Sequence, residues 1–287
     1  MSDNHMPSHN PLKKYFRQPK IYISLPSRGK FYPDGSIEMT ENGELPVYSM
    51  TAKDEMIIKT PDALLNGSST VEVIQSCIPN IKNAWMIPSI DVDAILIAIR
   101  IATYGESMDL DVKTPVTGDE KSFSVDLRGL LDRLIFSSFD DTVIVNDMTI
   151  KIRPLTYKEF TESSLKTFEE QRLFKTINDN SIPDNEKLAA FSQSFRKLTD
   201  LTVGTMEKSI VSITFDGETV SNFDHIKEFI DNADKHIFKS IIDHIDSQRN
   251  NFKIKPFVVD ATPDEVEKGV PETYEVPITF DSSNFFG

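Results

Sequence analysis

The sequence predicts an α+β fold of two similar units, each a β-hairpin, helices and a second β-hairpin, with a helical insertion in the second. Three observations carry this. Short alternating stretches cluster between pairs of helical patterns instead of alternating with them one by one. Two strand-to-helix joints share a capping pattern, Thr51 with Asp54 and Thr156 with Glu159. Local matches also recur in one order: residues 47–54 with 152–159, residues 92–103 with 234–245, and the Thr114-Pro115 turn and following strand with Thr262-Pro263 and its strand. The expected divisions are a disordered basic arm at 1–19, a first unit at 20–135 and a second at 140–287, with residues 165–205 inserted.

In chain order, Pro7, Pro11 and Pro19 break any periodicity in the arm. Residues 20–25 alternate and predict a strand. Leu25 to Gly35 is punctuated by Pro and Gly and predicts tight turns. Residues 37–39 and 45–48 are expected to pair across Asn42-Gly43, since that dipeptide supplies positive φ. Helices follow at 52–65 and 68–78. A helix over 92–103 is apolar all round, with Asp91 as its expected cap and Gly105 as its stop. Residues 110–112 and 123–127 then predict paired strands. The second half restarts with a hairpin, 142–145 and 149–153, around Asn146-Asp147. Helices are expected to about 177, then at 184–203, 223–230 and 234–245, and strands at 254–259 and 274–280.

The chain has 287 residues and a net charge of −14, unevenly spread. Six basic residues and no acid lie between Asn4 and Pro33, so residues 1–50 carry about +1 and the rest about −15. Such a body repels nucleic acid and anionic membrane, while a basic arm suits an acidic protein surface, including another copy. The most apolar window, 94–102, is too short to span a bilayer and holds Arg100. With one cysteine, Cys77, neither an internal disulfide nor a Cys-based zinc site is possible.

Catalytic patterns are absent. The histidines His5, His9, His225, His236 and His244 lack metalloprotease spacing, and no phosphate-cradling Gly loop or nucleophile elbow occurs. Acid pairs are numerous, but a chain with 45 acids yields them by chance. The expectation is a protein without catalytic residues, metal or cofactor.

Two stretches resemble a known family. Leu25-Pro26-Ser27-Arg28-Gly29-Lys30-Phe31-Tyr32-Pro33 is similar to the entry motif of baseplate proteins of T-even-like contractile-tailed phages. Residues 69–112, ending Ala102-Thr103-Tyr104-Gly105-Glu106 and on into Val112, resemble the core of the baseplate hub subunit and hub assembly group, and residues 276–287 resemble the tails of related phage proteins. The resemblance implies a structural or chaperone-like assembly protein of the tail baseplate hub. Its partners would be other tail or baseplate proteins or a second copy, in the host cytoplasm during assembly and in the virion. Some relatives carry Cys pairs in the hairpin turns; this chain does not, so no metal knuckle is expected. The alternative is a nucleic-acid-associated regulator using the basic arm.

The expected partner-binding residues are Arg28, Lys30, Phe31 and Tyr32 near one end and Asn284, Phe285 and Phe286 at the other. Arg and aromatic side chains are favoured at interface hot spots, and a Pro-framed loop displays them at small entropic cost. The competing role for Phe31 and Tyr32 is to close the first unit's own core, and for the Phe pair to fold back on the chain.

Overall fold

The computed structural model describes residues 10–59, 67–177, 184–278 and 285–286, with backbone only at 173–177 and 184–186. It is α+β, built of small antiparallel sheets and helices around two hydrophobic cores. The first core is built around strands β1 (Pro19–Ser24) and β2 (Glu44–Tyr48), which pair antiparallel. Helix α1 (Ala52–Ile58), helix α2 (Ser68–Cys77) and helix α3 (Ser89–Tyr104) pack beside them. Residues Ala94 to Ile99 of α3 are all buried, so this helix is enclosed on every side. The hairpin β3 (Ser107–Lys113) and β4 (Glu120–Asp126) follows, and then α4 (Leu127–Phe136).

The second core lies under a four-stranded antiparallel sheet in the order β5-β6-β7-β8 (Thr142–Val145, Met148–Ile152, Ile210–Phe215, Glu218–Val220). Strand alternation puts Val143 and Val145 inside and leaves Ile144 out. Between β6 and β7 runs a long helical hairpin, α5 (Tyr157–Ile177) and α6 (Asp184–Ser209). Helices α7 (Phe223–Asn232) and α8 (Lys235–Asn251) supply Ile226, Ile230, Ile241 and Ile245 to the core. The chain ends with β9 (Phe257–Asp260), the short α9 (Pro263–Glu267) and β10 (Thr273–Val276), whose strands pair.

Several elements differ from expectation. The strand at 45–48 pairs with β1, and Ile37 instead bridges Ile81; Asn42-Gly43 still turns the chain, with Gly43 at φ 75°. The reason is burial: β1 brings Ile23 against Leu45 and Val47, a larger apolar contact than residues 37–39 offer. Asp91 is not the cap of α3, which starts at Ser89 behind Pro88; it lies inside the first turn. The expected continuation of α1 to residue 65 lies outside the described residues. Residues 10–19, inside the expected arm, form a 3-10 turn and then join β1. The β7–β8 hairpin, α4 and α9 are additional elements. The terminal hairpin, grouped by sequence with the second unit, contributes Val259, Tyr274 and Val276 to the first core.

Three helix starts share one electrostatic device. Thr51–Asp54, Thr156–Glu159 and Thr262–Glu265 form reciprocal capping boxes, and each acid is gripped by a cation: Arg17, Arg153 and Lys121. Burial pushes the Glu159 carboxyl up, but the Arg153 and Thr156 hydrogen bonds outweigh it and bring it to about 2. Lys121 and the Thr262 amide bring Glu265 to about 2 as well. Each depressed acid stabilises the fold fully above the ordinary Glu pKa of about 4.3, and that stabilisation is lost as pH falls toward 2. The Lys121–Glu265 pair, 2.7 Å, also fastens α9 to the β3–β4 hairpin, which carries the chain's end back to the first core.

At that end Phe285 and Phe286 are buried, edge to face at 4.9 Å, and the Tyr104 hydroxyl donates to the Phe286 carbonyl at 3.0 Å. Phe286→Ala should therefore lower the stability of the isolated protein by about 3–5 kcal/mol in chemical denaturation. An unchanged midpoint would place that ring outside the core.

Candidate partner-binding site

The loop from Leu25 to Gly35 is built as a strap with an anchored inner side and an exposed outer side. Leu25 and Ser27 are buried. The backbone doubles back twice, through Arg28 N–H to Leu25 O and Lys30 N–H to Ser27 O. This requires positive φ at Arg28 (57°), Gly29 (77°) and Phe31 (69°). Glycine tolerates that conformation; Arg and Phe hold it against a steric cost, so the surroundings must fix it.

The fixing group is Asp91, fully buried in the first turn of α3. Its carboxylate accepts from the Ser27 amide at 2.7 Å, the Ser27 hydroxyl at 2.5 Å and the Tyr32 hydroxyl at 3.0 Å. Burial raises its carboxyl to about 6 even with these three donors lowering it. Burial and the adjacent carboxylate push the Tyr32 phenol well up, so Tyr32 stays a donor. An acid with a raised pKa weakens the fold when ionised. That weakening is present above about pH 6 and is relieved as pH falls from 6 toward the ordinary carboxylate value.

The strap also spans the two cores. Phe31 meets Phe139 edge to face at 5.4 Å, and Phe139 lies 6.3 Å from Phe252. Phe139 packs on the second core, so Phe31 carries contact from one core to the other. A second join runs through the Pro88–Thr156 bridge, Ser89 N–H to Leu155 O and Tyr157 N–H to Ile87 O, both 2.7 Å, with Trp85 stacked on Tyr157.

Outward, Arg28 donates to the Ile135 carbonyl at 3.1 Å, near the C-terminal end of α4, where a cation is favoured. Arg28, Lys30 and Phe136 are exposed beside a hollow of about 220 Å³, with Pro26, Phe31, Phe139 and Asp141 in its wall. On the other side of Phe31 and Tyr32 is a groove of about 700 Å³ shared with Met86, Arg153, Glu162 and Lys208.

The expected site residues thus take different positions. Arg28 and Lys30 are exposed; Phe31 and Tyr32 are half-buried and hold the strap from within. Phe285 and Phe286 are core residues, and Asn284 lies outside the described residues. Sequence reasoning missed Asp91 as the anchor and Phe136 as the exposed aromatic. An acid at a helix start reads as a cap, and the sole clue to Phe136 was an apolar residue at a helix end next to Ser137-Ser138. Among the described residues no group of three or more His, Cys, Asp or Glu could hold a metal, and no helix is long and apolar enough to cross a membrane.

The loop therefore holds two exposed cations, Arg28 and Lys30, on an ordered backbone. Among known families, a model described as T4 bacteriophage base plate protein matches residues 36–256. The chain belongs to this family of phage baseplate proteins, which places it in the virion tail and gives it a structural role in contact with other baseplate or tail proteins. No curated protein matches it, and no solved structure does.

Asp91→Ala should cost about 2–4 kcal/mol, because it leaves the Ser27 amide and the Tyr32 hydroxyl buried without an acceptor. It should also open the strap to trypsin at Arg28 and Lys30 under native conditions. Tyr32→Phe should cost about 1–2 kcal/mol and leave the strap more resistant than Asp91→Ala does. Equal native proteolysis of wild type and Asp91→Ala would contradict the anchoring role.

Proposed function

We propose that the chain works at the baseplate hub, as a hub subunit or as a chaperone-like factor that helps the hub form, through protein–protein contacts alone. The observation that carries this reading is the strap. Its inner face is tied to Asp91 and its outer face holds Arg28 and Lys30 in the open on a backbone already ordered. A partner meeting this loop loses little conformational entropy, and Arg28 and Lys30 select an acidic counterpart. The two strand-to-capping-box joints, at Thr51 and Thr156, support an origin by duplication, with the α5–α6 hairpin inserted in the second copy.

The double variant Arg28→Glu/Lys30→Glu should stay folded, losing only about 1 kcal/mol through the Arg28–Ile135 hydrogen bond at the end of α4. It should reduce the yield of complete baseplates in infected cells roughly tenfold, the equivalent of about 1.4 kcal/mol at one contact. A wild-type yield would remove the strap from the interface. Mass spectrometry of purified virions separates the two roles: presence in step with the other baseplate proteins marks a hub subunit, and presence far below them marks an assembly factor.

A further inference from the structure

Residues 11–16 form a preformed hook that the other described residues do not cover. Asn10 caps the turn by accepting from the Leu12 amide at 2.9 Å, and Pro11 stands at its first position, so the 3-10 turn is encoded locally. None of its residues is buried. Leu12, Tyr15 and Phe16 are 60, 74 and 56% exposed, beside Lys13 and Lys14. Large side chains in that state are unusual unless something else covers them.

The hook is nevertheless held firmly at its base. The Arg17 guanidinium donates to the Ser49 and Ser76 carbonyls, each at 2.5 Å, and to the Ser76 hydroxyl at 2.8 Å. It pairs with Asp54 at 3.4 Å and lies over the Tyr48 ring. This clamp fixes where the hook leaves the body and leaves its apolar side facing away from the first core.

The same chain carries a matching hollow. A groove of about 570 Å³ runs between α5, α6 and α8, walled by Phe160, Phe168, Leu198, Leu201 and Ile242, with the Asp246–Arg249 ion pair beside it. Phe160 and Phe168 are 42 and 54% exposed. The charges are complementary as well: the first 50 residues carry about +1 and the remainder about −15, so the basic hook of one copy is drawn to the acidic body of another. Hook and groove are different surfaces, so each copy offers one of each: head-to-tail contacts build rings or chains, and reciprocal exchange closes a two-fold dimer.

We propose that Leu12, Tyr15 and Phe16 of one copy seat in the α5/α6/α8 groove of a second copy, drawn there by the attraction of the basic hook to the acidic body. Two aromatics at ~150–250 Å² each, scaled to their 74 and 56% exposure, plus Leu12, can bury about 350 Å² on the hook side. The two-sided total is about 700 Å², below the ~1,000 Å² of a stable specific interface, so a single contact is weak and repeated contacts reinforce one another.

The test uses the full chain in sedimentation velocity, from about 1 to 200 μM. Three proteins are compared: wild type, a hook variant (Leu12→Ser/Tyr15→Ser/Phe16→Ser) and a groove variant (Phe168→Asp). Every replaced side chain is more than half exposed, so unchanged melting curves confirm folding. Wild type should associate as concentration rises, and each variant alone should weaken association at least tenfold. Mixed together, the variants should form dimers and stop there, since one intact hook meets one intact groove. A wild type that stays monomeric overturns the proposal. So does association that survives either variant, or a mixture that stays monomeric. None of these results bears on whether the chain works at the hub, which the virion and baseplate-yield measurements decide.

Discussion

The architecture turns on one buried carboxylate. Asp91 sits in the first turn of α3, fully enclosed, and accepts three hydrogen bonds from a loop 59 to 64 residues earlier in the chain. A buried charge without donors is prohibitively costly, so the loop must be in place whenever α3 is buried. The converse holds too, because Arg28 and Phe31 adopt positive φ only when the anchor is set. Loop and helix are therefore formed together. Phe31 then extends this joint unit to Phe139 and the second core.

The same principle recurs in gentler form at three helix starts. Asp54, Glu159 and Glu265 each serve a capping Thr and are each met by a cation from elsewhere in the chain. Arg17 comes from the N-terminal segment, Arg153 from the residue after β6, and Lys121 from the β3–β4 hairpin. At Asp54 and Glu265 the local helix signals are thus converted into long-range ties. These ties bring the two ends of the chain onto the first core, one through Arg17 and the other through Lys121 and the buried Phe pair. For a protein whose family works in an assembled baseplate, this leaves the strap and the helical hairpin facing outward on a braced body.

Much of this was legible in the sequence because it is local. The hairpin at Asn146-Asp147, the Thr51 and Thr156 boxes, the enclosed α3 and the long α5 all follow from spacing within a dozen residues. The β7–β8 hairpin lies where no element was expected, although Asp216-Gly217 between alternating residues is its signal; Asp216 and Gly217 both adopt positive φ. Other features were illegible because their partners are remote. The sequence offers the strand at 45–48 two neighbours, and only core burial selects β1. Asp91 looks like a cap until Ser27 and Tyr32 are placed against it. A terminal Phe-Phe fits a partner's pocket or its own core equally well until Tyr104 and the Lys121–Glu265 tie are seen.

Hydrogen exchange at a single amide tests the central claim most directly. The Ser27 N–H has no strand or helix partner; the Asp91 carboxylate holds it at 2.7 Å. If the strap forms as one unit with α3, this loop amide exchanges only through global opening, with a protection matching the α3 amides of Ile97 to Ile99. Exchange within seconds at neutral pH, while α3 remains protected, would show the strap opening on its own and would contradict the account.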